Sequence, residues 1–333
     1  MTDASRDLSM ALRGAIDRLL QGVPMAALQR AAGRLTGAYR DGGAGAAMAE
    51  DIDRLAYAAV RAPATFAAMR AVLAELCRRA PGFDPRSLLD LGSGPGTALW
   101  STWETCEGLE AATHVDRDAA MGHLGERLLE GSTVARQVRS TWRTLDLGAR
   151  GAKTQLGALG AHDLVLFGYV LGELPEERRA ETVDAAWDVT AGALVIVEPG
   201  TPAGTARVLS AREQLLARGA MVAAPCPHGA DCPLPAGDWC HFGARLNRSA
   251  VQRRLKGASL GYEDEKYAYV ALTREAADPC AARVLRRPRI EKGHVRLHLC
   301  ERDGLRTTVV ARRDREGFRA ARKVGWGGAW SPT

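Results

Sequence analysis

The segment LLDLGSGPGTALW, residues 88–100, constrains the possible folds of this chain more than any other feature. A short apolar run that ends in a glycine-rich turn is typical of a buried parallel strand followed by a loop that approaches a ligand. Further apolar runs occupy residues 112–116, 163–169 and 193–199, and helical patterns at 118–129 and 175–190 lie between them. Because strands alternate with helices, the sequence predicts an α/β fold with a Rossmann-like parallel sheet.

The segments on either side of this sheet differ from it in pattern. Residues 1–83 carry apolar residues at helical spacing and predict an N-terminal helical region. The Rossmann-like domain should extend over residues 84–220, followed by a cysteine-rich loop at 221–245 and a small strand-rich part at 246–333. Strands within that last part are expected at residues 262–274, 283–300 and 305–312.

Charge is distributed unevenly along the 333 residues. Residues 245–333 hold 21 Lys and Arg against 10 Asp and Glu, a net charge of +11, whereas residues 1–244 carry a net charge of −5. A basic segment of this kind predicts contact with a polyanion such as RNA. The alternative is a solvated, arginine-rich surface.

The expected compartment follows from what the sequence lacks. No apolar run reaches the eighteen or more residues that a membrane span needs. The first twenty residues include Asp3 and Asp7 and have no continuous apolar stretch, so a signal peptide is not expected. A cytoplasmic location is therefore predicted, where the seven cysteines would stay reduced. Clustered thiols in a reducing compartment are more typical of metal ligands than of disulfides.

The loop after the first strand contains three glycines, Gly92, Gly94 and Gly96, which allow tight turning and close approach of the backbone to a ligand. Asp90 precedes this loop, and Asp116 ends the second strand about twenty residues beyond it. An acid at that position accepts hydrogen bonds from ribose hydroxyls. The dinucleotide fingerprint GxGxxG is not met, because position 97 is Thr.

The segment DLGSGPG, followed by an acid at the end of the next strand, resembles motifs I and II of the class I S-adenosylmethionine-dependent methyltransferases. The resemblance implies that Asp116 holds the ribose and that the methionine and adenosine moieties are lined by Gly92, Ser93, Gly94 and Gly96. Asp90, before the loop, and Tyr169, at the carboxyl end of the fourth strand, complete the expected cofactor-binding set. The alternative is a Rossmann-like fold that has lost its ligand.

The segment FGYVLGELPEE after the fourth strand lacks the Asn/Asp-Pro-Pro-aromatic motif that enzymes methylating base nitrogens often carry. Tyr169 and Glu173 lie where they could shape the pocket, but nothing in the pattern marks either as a catalytic residue. The catalytic residues are therefore left unassigned, and methyl transfer itself stays open.

The segment CPHGADCPLPAGDWCHF places Cys226, Cys232 and Cys240 in one proline-rich loop. The gaps of five and seven residues between them are longer than in most structural zinc sites. Zinc, an iron–sulfur cluster and plain thiols therefore all stay open. The candidates for a fourth ligand are Cys300, Cys280, His228 and His241.

This cysteine block, the segments EDEKYAYVALTRE and KGHVRLHLC, and a tail ending in VGWGGAW are similar, in this order, to the Rsm22 family over about residues 50–330. The resemblance implies a methyltransferase-like domain and binding to the small ribosomal subunit during its assembly. It also implies a [4Fe–4S] cluster, with zinc as the alternative, held by Cys226, Cys232, Cys240 and Cys300. Cys280 does not fit the family pattern, and His228 and His241 become groups around the cluster or facing RNA.

The basic residues of the C-terminal part are the expected contacts to RNA phosphates. They are Arg286, Arg287, Arg289, Lys292, Arg312, Arg313, Arg322 and Lys323. Trp326 and Trp330 could stack on unpaired bases, although tryptophans of this kind more often pack a tail onto its domain.

Taken with these features, the resemblance to the Rsm22 family implies an assembly factor of the small ribosomal subunit, which we expect to be a monomer. It would bind S-adenosylmethionine, a [4Fe–4S] cluster and rRNA, and it would have no membrane contact. One alternative is an active S-adenosylmethionine-dependent rRNA methyltransferase. The other is a small-molecule methyltransferase with structural zinc, which predicts no affinity for RNA.

Overall fold

The computed structural model describes residues 9–40 and 48–331. Up to residue 147 its elements are α1 Met10–Leu19, α2 Met25–Arg40, α3 Asp51–Val60, α4 Ala62–Arg79, β1 Ser87–Leu91, α5 Thr97–Thr105, β2 Ala111–Asp116, α6 Ala119–Leu129, α7 Thr133–Gln137 and β3 Arg139–Thr144. From residue 148 they are α8 Ala152–Gly157, β4 His162–Gly168, α9 Glu176–Asp188, β5 Thr190–Pro199, α10 Pro202–Leu216, β6 Met221–Ala224, β7 Phe242–Asn247, α11 Ala250–Lys256, β8 Tyr262–Thr273, β9 Ala282–Val284, β10 Arg289–Ile290, β11 His294–Glu301, β12 Gly304–Ala311, α12 Arg315–Lys323 and β13 Ala329–Trp330.

The described residues group into two compact units that interleave along the chain. The first unit draws on Met1–Ala71, Arg86–Leu147 and Ala244–Glu265, and the second on Val72–Pro85, Gly148–Gly243 and Lys266–Thr333. The four contiguous segments expected from the sequence cut the chain differently, and their boundaries stay a prediction.

The N-terminal helices are amphipathic, as their spacing predicts. In α1, Leu12, Ile16 and Leu19 are buried on one face, and the Ser9 hydroxyl accepts a hydrogen bond from the backbone N–H of Leu12 at 3.4 Å. This bond satisfies one of the free N–H groups at the start of the helix. In the part of the chain that the structure describes, no helix is both long and apolar enough to cross a membrane.

In the first unit, three parallel strands stand in the order β3-β2-β1. Strand β1 is buried, and its apolar residues Leu88, Leu89 and Leu91 are 0% exposed. A strand buried on both faces reads as a nearly continuous apolar run, which is why the sequence indicates it clearly. The glycine loop begins where β1 ends, beside the carboxyl end of β2.

In the second unit, β4 and β5 are parallel, and β8 lies antiparallel between β5 and β6. Residues 193–197 of β5 are 0% exposed, and helices α9 and α10 pack against this strand. The α/β fold class predicted from the sequence is thereby confirmed.

A second sheet in the same unit has the order β10-β11-β9-β13, with β12 paired to β11. Its core contains Val284, Leu297, Leu299 and Trp330, against which α12 packs through Phe318 and Ala320. Trp330 is only 6% exposed, so it packs the C-terminal tail and does not offer its ring to RNA bases.

The strands predicted at residues 112–116, 163–169 and 193–199 are confirmed as β2, β4 and β5. The single strand predicted at 283–300 is wrong, because the structure divides this segment into β9, β10 and β11. Pro288 has no N–H to donate to a neighbouring strand, and the chain bends again at Gly293. Strand β3, with the sequence RSTWRT, is half-exposed and polar and gives no apolar signal.

Candidate functional site

Backbone hydrogen bonds hold the glycine loop to the carboxyl end of β2. The N–H groups of Gly92 and Ser93 both donate to the carbonyl of Val115, at 2.8 and 2.9 Å. Gly92, Gly94 and Gly96 have φ angles of +68°, +53° and +76°, a conformation that other residues rarely adopt. The loop therefore needs glycine at these three positions.

The Asp116 carboxylate closes the other side of this loop. Its Oδ2 accepts a hydrogen bond from the Gly94 N–H at 2.7 Å, and its Oδ1 accepts one from the Asp118 N–H at 2.9 Å. Burial raises the pKa of Asp116, and these two hydrogen bonds oppose the rise. Each carboxylate oxygen can accept a further hydrogen bond, so Asp116 can still accept hydrogen bonds from the hydroxyls of a ribose.

Asp90 is placed inside the strand, next to a histidine. It is 1% exposed, His114 is 0% exposed, and Asp90 Oδ2 lies 3.5 Å from His114 Nδ1. Burial raises the pKa of Asp90, and the contact with His114 opposes this effect. The Asp90 carboxylate thus lies in the protein interior beneath the loop, in contact with His114.

Trp142 of β3 supports the glycine loop, a role that was not predicted from the sequence. Its ring stacks on His114 with 4.0 Å between ring centroids. A Cβ atom added at Gly96 would lie 2.7 Å from Trp142 Cη2, and one at Gly125 would lie 2.1 Å from the same atom. The indole therefore fills the space that these two glycines leave open.

The loop after β4, in the second unit, is held by a strained residue and a buried ion pair. Tyr169 has a φ angle of +64°, the only positive value for a residue other than glycine among those described, and its N–H donates to the Val197 carbonyl at 2.7 Å. Such strain is common at functional sites. The Leu171 N–H donates to Glu198 Oε1 at 3.0 Å, and Arg207 Nε donates to Glu198 Oε2 at 2.7 Å.

The structure brings the four predicted cluster ligands to one cavity in the second unit, lined by Cys226, Cys232, Cys240 and Cys300. The first three lie between β6 and β7, the fourth lies in β11, and all four thiols are free. The cavity volume is about 40 Å³, whereas one water needs about 10–15 Å³. The cavity therefore offers more space than a single water needs.

The thiols of this cavity lie in each other's electrostatic field. Burial raises the pKa of Cys226, and burial together with the other three thiols raises the pKa of Cys240 well above its ordinary value. Burial and the proximity of Cys226 and Cys232 raise the pKa of Cys300 to about 12. A cation bound among the thiols would reverse this effect by stabilising the thiolates.

Arg283 holds the start of the cysteine loop, at Pro225, in place. It is 1% exposed and lines the cavity. Its Nε donates to the carbonyl of Pro225 at 2.8 Å, its Nη1 to that of Gly327 at 2.9 Å, and its Nη2 to Glu75 Oε1 at 2.7 Å. Glu75 also accepts hydrogen bonds from Arg78 and Arg79, so its charge is shared by three guanidinium groups.

Arg212 of α10 holds the segment between Cys226 and Cys232. It is 1% exposed and lines the same cavity. Its Nη2 donates to the carbonyls of His228 and Ala230, both at 2.8 Å. One guanidinium thus fixes two carbonyls of the cysteine loop.

Of the three other candidate ligands, Cys280 and His241 do not line the cavity, whereas His228 does. Cys280 Sγ lies 3.9 Å from the Pro225 carbonyl, and His241 stacks on Trp239, so neither lines the cavity. His228 does line it, with Nε2 3.7 Å from Cys300 Sγ. Within residues 9–40 and 48–331, no group of three or more His, Cys, Asp or Glu side chains is arranged to hold a metal ion.

Seven of the eight basic residues predicted to meet phosphates are exposed. The exception is Arg286, which is half-buried and forms an ion pair with Asp238. Among the described residues, no carboxylate forms an ion pair with Arg289, Lys292, Arg312, Arg313, Arg322 or Lys323. Their charges are therefore available to an external anion.

The buried positions of Arg212, Arg283 and Glu75 were likewise not predicted from the sequence. A signal was present for the first, because Arg212 falls on the apolar stripe of α10 with Val208 and Leu215. Arg283 likewise stands between Ala282 and Val284 in a buried strand. A charged residue within an apolar pattern indicates a buried partner, although the pattern does not say which.

Several known proteins are similar to this chain. A human protein named "Ribosome assembly protein METTL17, mitochondrial" is 32% identical over 297 residues, which cover 82% of this chain and 61% of the relative. The chain thus spans about three fifths of the length of this curated relative.

Among solved structures, an O-methyltransferase family protein from Burkholderia thailandensis is 14% identical, with a TM-score of 0.43 and coverage of 83% of this chain and 77% of that one. Magnesium protoporphyrin IX methyltransferase from Synechocystis PCC 6803 is also 14% identical, with a TM-score of 0.40 and coverage of 63% and 79%.

The family model described as "Mitochondrial small ribosomal subunit Rsm22" matches residues 51–331, from α3 to the end of the described chain. This range includes the glycine loop, all four cavity cysteines and the basic C-terminal sheet. The resemblance seen in the sequence is therefore confirmed, and the chain belongs to the Rsm22 family.

Proposed function

We propose that this protein is an assembly factor of the small ribosomal subunit, which binds rRNA through its basic C-terminal part and carries S-adenosylmethionine and a [4Fe–4S] cluster. Membership of the Rsm22 family and the human ribosome assembly relative support this proposal. The observation that carries it is the position of Cys300. This thiol lines the cysteine cavity from β11, the central strand of the sheet around which the exposed basic residues lie.

The glycine loop is the proposed site for S-adenosylmethionine. Its backbone is already turned by Gly92, Gly94 and Gly96, and the Asp116 carboxylate stands at the end of β2 with free acceptor capacity. In this role Ser93 and the three glycines would line the ligand, Asp116 would accept the ribose hydroxyls, and Asp90 would support the loop from below. Tyr169, at the carboxyl end of β4, stays a cofactor-binding residue predicted from the sequence.

The cysteine cavity is the proposed metal site, and four thiols line it. The resemblance to the Rsm22 family favours a [4Fe–4S] cluster, in which each of the four irons is bound by a different thiolate. Such a cluster would tie the loop of residues 226–240 to β11. Zinc is the alternative.

The loop after β4 favours binding of the cofactor over methylation of base nitrogens. The loop lacks the Asn/Asp-Pro-Pro-aromatic motif. The Glu198 side chain is 0% exposed, and its two oxygens already accept hydrogen bonds from Arg207 and from the Leu171 N–H. We therefore propose that assembly is the main role and leave methyl transfer as the second candidate. A monomeric state and a cytoplasmic location belong to the same proposal.

The metal is tested on protein purified under anaerobic conditions, with iron, sulfide and zinc measured on one sample beside the absorption spectrum. We expect a broad visible band with about four irons and four sulfides per chain. One zinc without sulfide would replace the cluster by a structural zinc ion. Absence of iron, sulfide and zinc would remove the metal site from the proposal.

The RNA and cofactor roles need separate assays. Binding to a small-subunit rRNA fragment should weaken steeply as salt rises, because phosphate contacts release counterions. Binding of S-adenosylmethionine, followed by calorimetry, should be lost in Gly94→Arg. Transfer of labelled methyl groups to immature subunits by the wild type, and not by Gly94→Arg, would establish the methyltransferase alternative. Salt-independent or undetectable RNA binding would contradict the assembly proposal.

A further inference from the structure

Arg212 is a buried cation at the cysteine cavity that pairs with no carboxylate among the residues that the structure describes. It is 1% exposed, and both hydrogen bonds formed by its Nη2 go to neutral carbonyls, those of His228 and Ala230. Among residues 9–40 and 48–331 it forms no ion pair with a carboxylate, and its Nε has no hydrogen-bond partner. Burying an uncompensated charge in a protein interior is costly. No carboxylate of the described residues therefore lies within ion-pairing distance of Arg212, and the ionisable group that its guanidinium contacts is the Cys226 thiol.

The second cation of the cavity shows the contrast. Arg283 is equally buried, but Glu75 Oε1 accepts a hydrogen bond from its Nη2 at 2.7 Å. The carbonyls of Pro225 and Gly327 accept the bonds from Nε and Nη1. Arg283 is therefore compensated within the protein itself, whereas Arg212 has no carboxylate partner in the described part of the chain.

The four thiols are the groups that can supply a balancing negative charge once they bind a metal. Four thiolates around a [4Fe–4S] core of charge +2, or around Zn²⁺, leave a net charge of about −2 in either case. Arg212 lies beside this charge, because it lines the same cavity and holds the loop between Cys226 and Cys232.

We propose that Arg212 is the charge-compensating and positioning residue of an anionic, thiolate-bound metal group in this cavity. The inference rests on the proposed metal site and goes beyond it, since it assigns a residue outside the thiol set. The guanidinium orients the loop through two carbonyls and offsets the negative charge of the loaded site.

A redox consequence follows if the group is a [4Fe–4S] cluster. One electron from dithionite makes the cluster more negative without breaking or forming a bond to the protein. A buried cation nearby stabilises the reduced form more than the oxidised form. Removal of this cation should therefore make the cluster harder to reduce.

The test compares Arg212→Gln and Arg212→Lys in the full-length protein, with Arg218→Gln as the matched control. Arg218 lies just beyond the same helix, is partly exposed and pairs with Asp184 and Asp188. Iron, sulfide and zinc are measured first, and loaded samples are then titrated with dithionite in the presence of redox mediators. We expect Arg212→Gln to reduce the equilibrium constant for one-electron reduction by about tenfold, which is about 59 mV. Arg212→Lys should restore most of this loss, and Arg218→Gln should resemble the wild type.

Each result then decides the proposal. A fully loaded Arg212→Gln protein with wild-type potential would overturn the charge role. If Arg212→Gln loses the metal and Arg212→Lys keeps it, the charge role is supported, whereas loss in both variants would overturn it.

For a zinc-loaded protein, the readout is the rate of zinc release to a chelator. It should rise about tenfold in Arg212→Gln only, as expected when one stabilising charge is lost, and an unchanged rate would overturn the proposal. A metal-free wild-type protein would instead show that the metal site itself is wrong.

Discussion

Cys300 and Arg283 stand directly opposite each other in the antiparallel pairing of β11 and β9. Opposite residues of two paired strands project on the same face, so the thiol and the guanidinium both reach the cysteine cavity. Their neighbours Leu299 and Val284 project on the other face and enter the core of the second sheet. One face of this strand pair therefore lines the cavity, and the other face contributes to the core of the second sheet.

The ion pair between Glu75 and Arg283 should make the free energy of unfolding depend on pH in the acidic range. Glu75→Gln removes the carboxylate that faces Arg283 and should lower the free energy of unfolding by about 3–5 kcal/mol at neutral pH, as expected for a broken buried pair. Burial raises the pKa of Glu75, but Arg283 and Arg78 outweigh it and the pKa is lowered below 4.5. The stabilisation is therefore present above pH 4.5 and is lost as pH falls through the lower pKa of the folded state.

Urea unfolding at several pH values measures this effect, and Glu110→Gln is its control. Glu110 forms an exposed pair with Arg86 and should change the free energy of unfolding by less than about 1 kcal/mol. The difference between wild type and Glu75→Gln should shrink in acid. A constant difference down to low pH would show that the charge of Glu75 does not stabilise the fold.

Two cysteines of the C-terminal part should respond differently to the same substitution. Cys300→Ser removes a cavity thiol and should lower bound iron and sulfide by more than half, because a cluster needs four thiolates. Cys280→Ser should retain the wild-type content, because Cys280 is buried but does not line the cavity. Metal and sulfide analysis of both proteins decides the matter, and equal losses would contradict the assignment of ligands.

Loss of the cluster should also weaken RNA binding, although no phosphate contact is changed. Cys300 lies in β11, which pairs with β10 and β12. Arg289 lies in β10, and Arg312 and Arg313 directly follow β12. We expect Cys300→Ser to lower the affinity for the rRNA fragment about tenfold, about 1.4 kcal/mol. Filter binding at fixed salt measures the change, with Cys280→Ser as control. Unchanged affinity in metal-free protein would mean that the cluster does not support the RNA surface.

The exposed arginines after β12 should set the salt dependence of that binding. The double substitution Arg312→Ala with Arg313→Ala removes two charges that have no ion-pair partner among the described residues. The slope of log affinity against log salt should fall by about two, one per phosphate contact. Arg218→Ala, whose charge is paired with Asp184 and Asp188, should leave the slope unchanged. An equal slope in both variants would place the RNA surface elsewhere.

Alanine substitutions at Gly96 and Gly151, which each precede a helix, can separate the cost of backbone strain from the cost of a steric collision. Gly96 and Gly151 have φ angles of +76° and +85°, but only a Cβ at Gly96 would collide, at 2.7 Å from Trp142. Gly151→Ala should cost about 1 kcal/mol from the backbone alone. Gly96→Ala should cost about 2–4 kcal/mol, because overpacking adds to the strain.

Unfolding and calorimetry with S-adenosylmethionine test this pair of variants. Only Gly96→Ala should weaken the binding of S-adenosylmethionine, because only Gly96 belongs to the proposed site. Equal stability and equal binding in the two variants would show that Trp142 does not shape the loop.

Much of the site could be predicted because it is encoded locally. The run SLLDL is apolar because β1 is buried, and the glycines that follow it are needed for positive φ angles. The three loop cysteines are close in sequence, so their proximity in space follows from the short chain between them. Cys300 was assigned through the resemblance to a family, because sixty residues of intervening chain leave its position undetermined.

The α/β class, the glycine loop and the family could be predicted from the sequence alone, because short-range patterns and motifs carry these properties. The fold is needed to show that Arg283 faces Cys300, that Trp142 fills the space beside Gly96, and that Arg212 is buried with no carboxylate paired to it among the described residues. These relationships depend on strand register and on helix packing between distant segments. A shift of one residue in the register would turn Arg283 away from the cavity, and no local pattern specifies that choice.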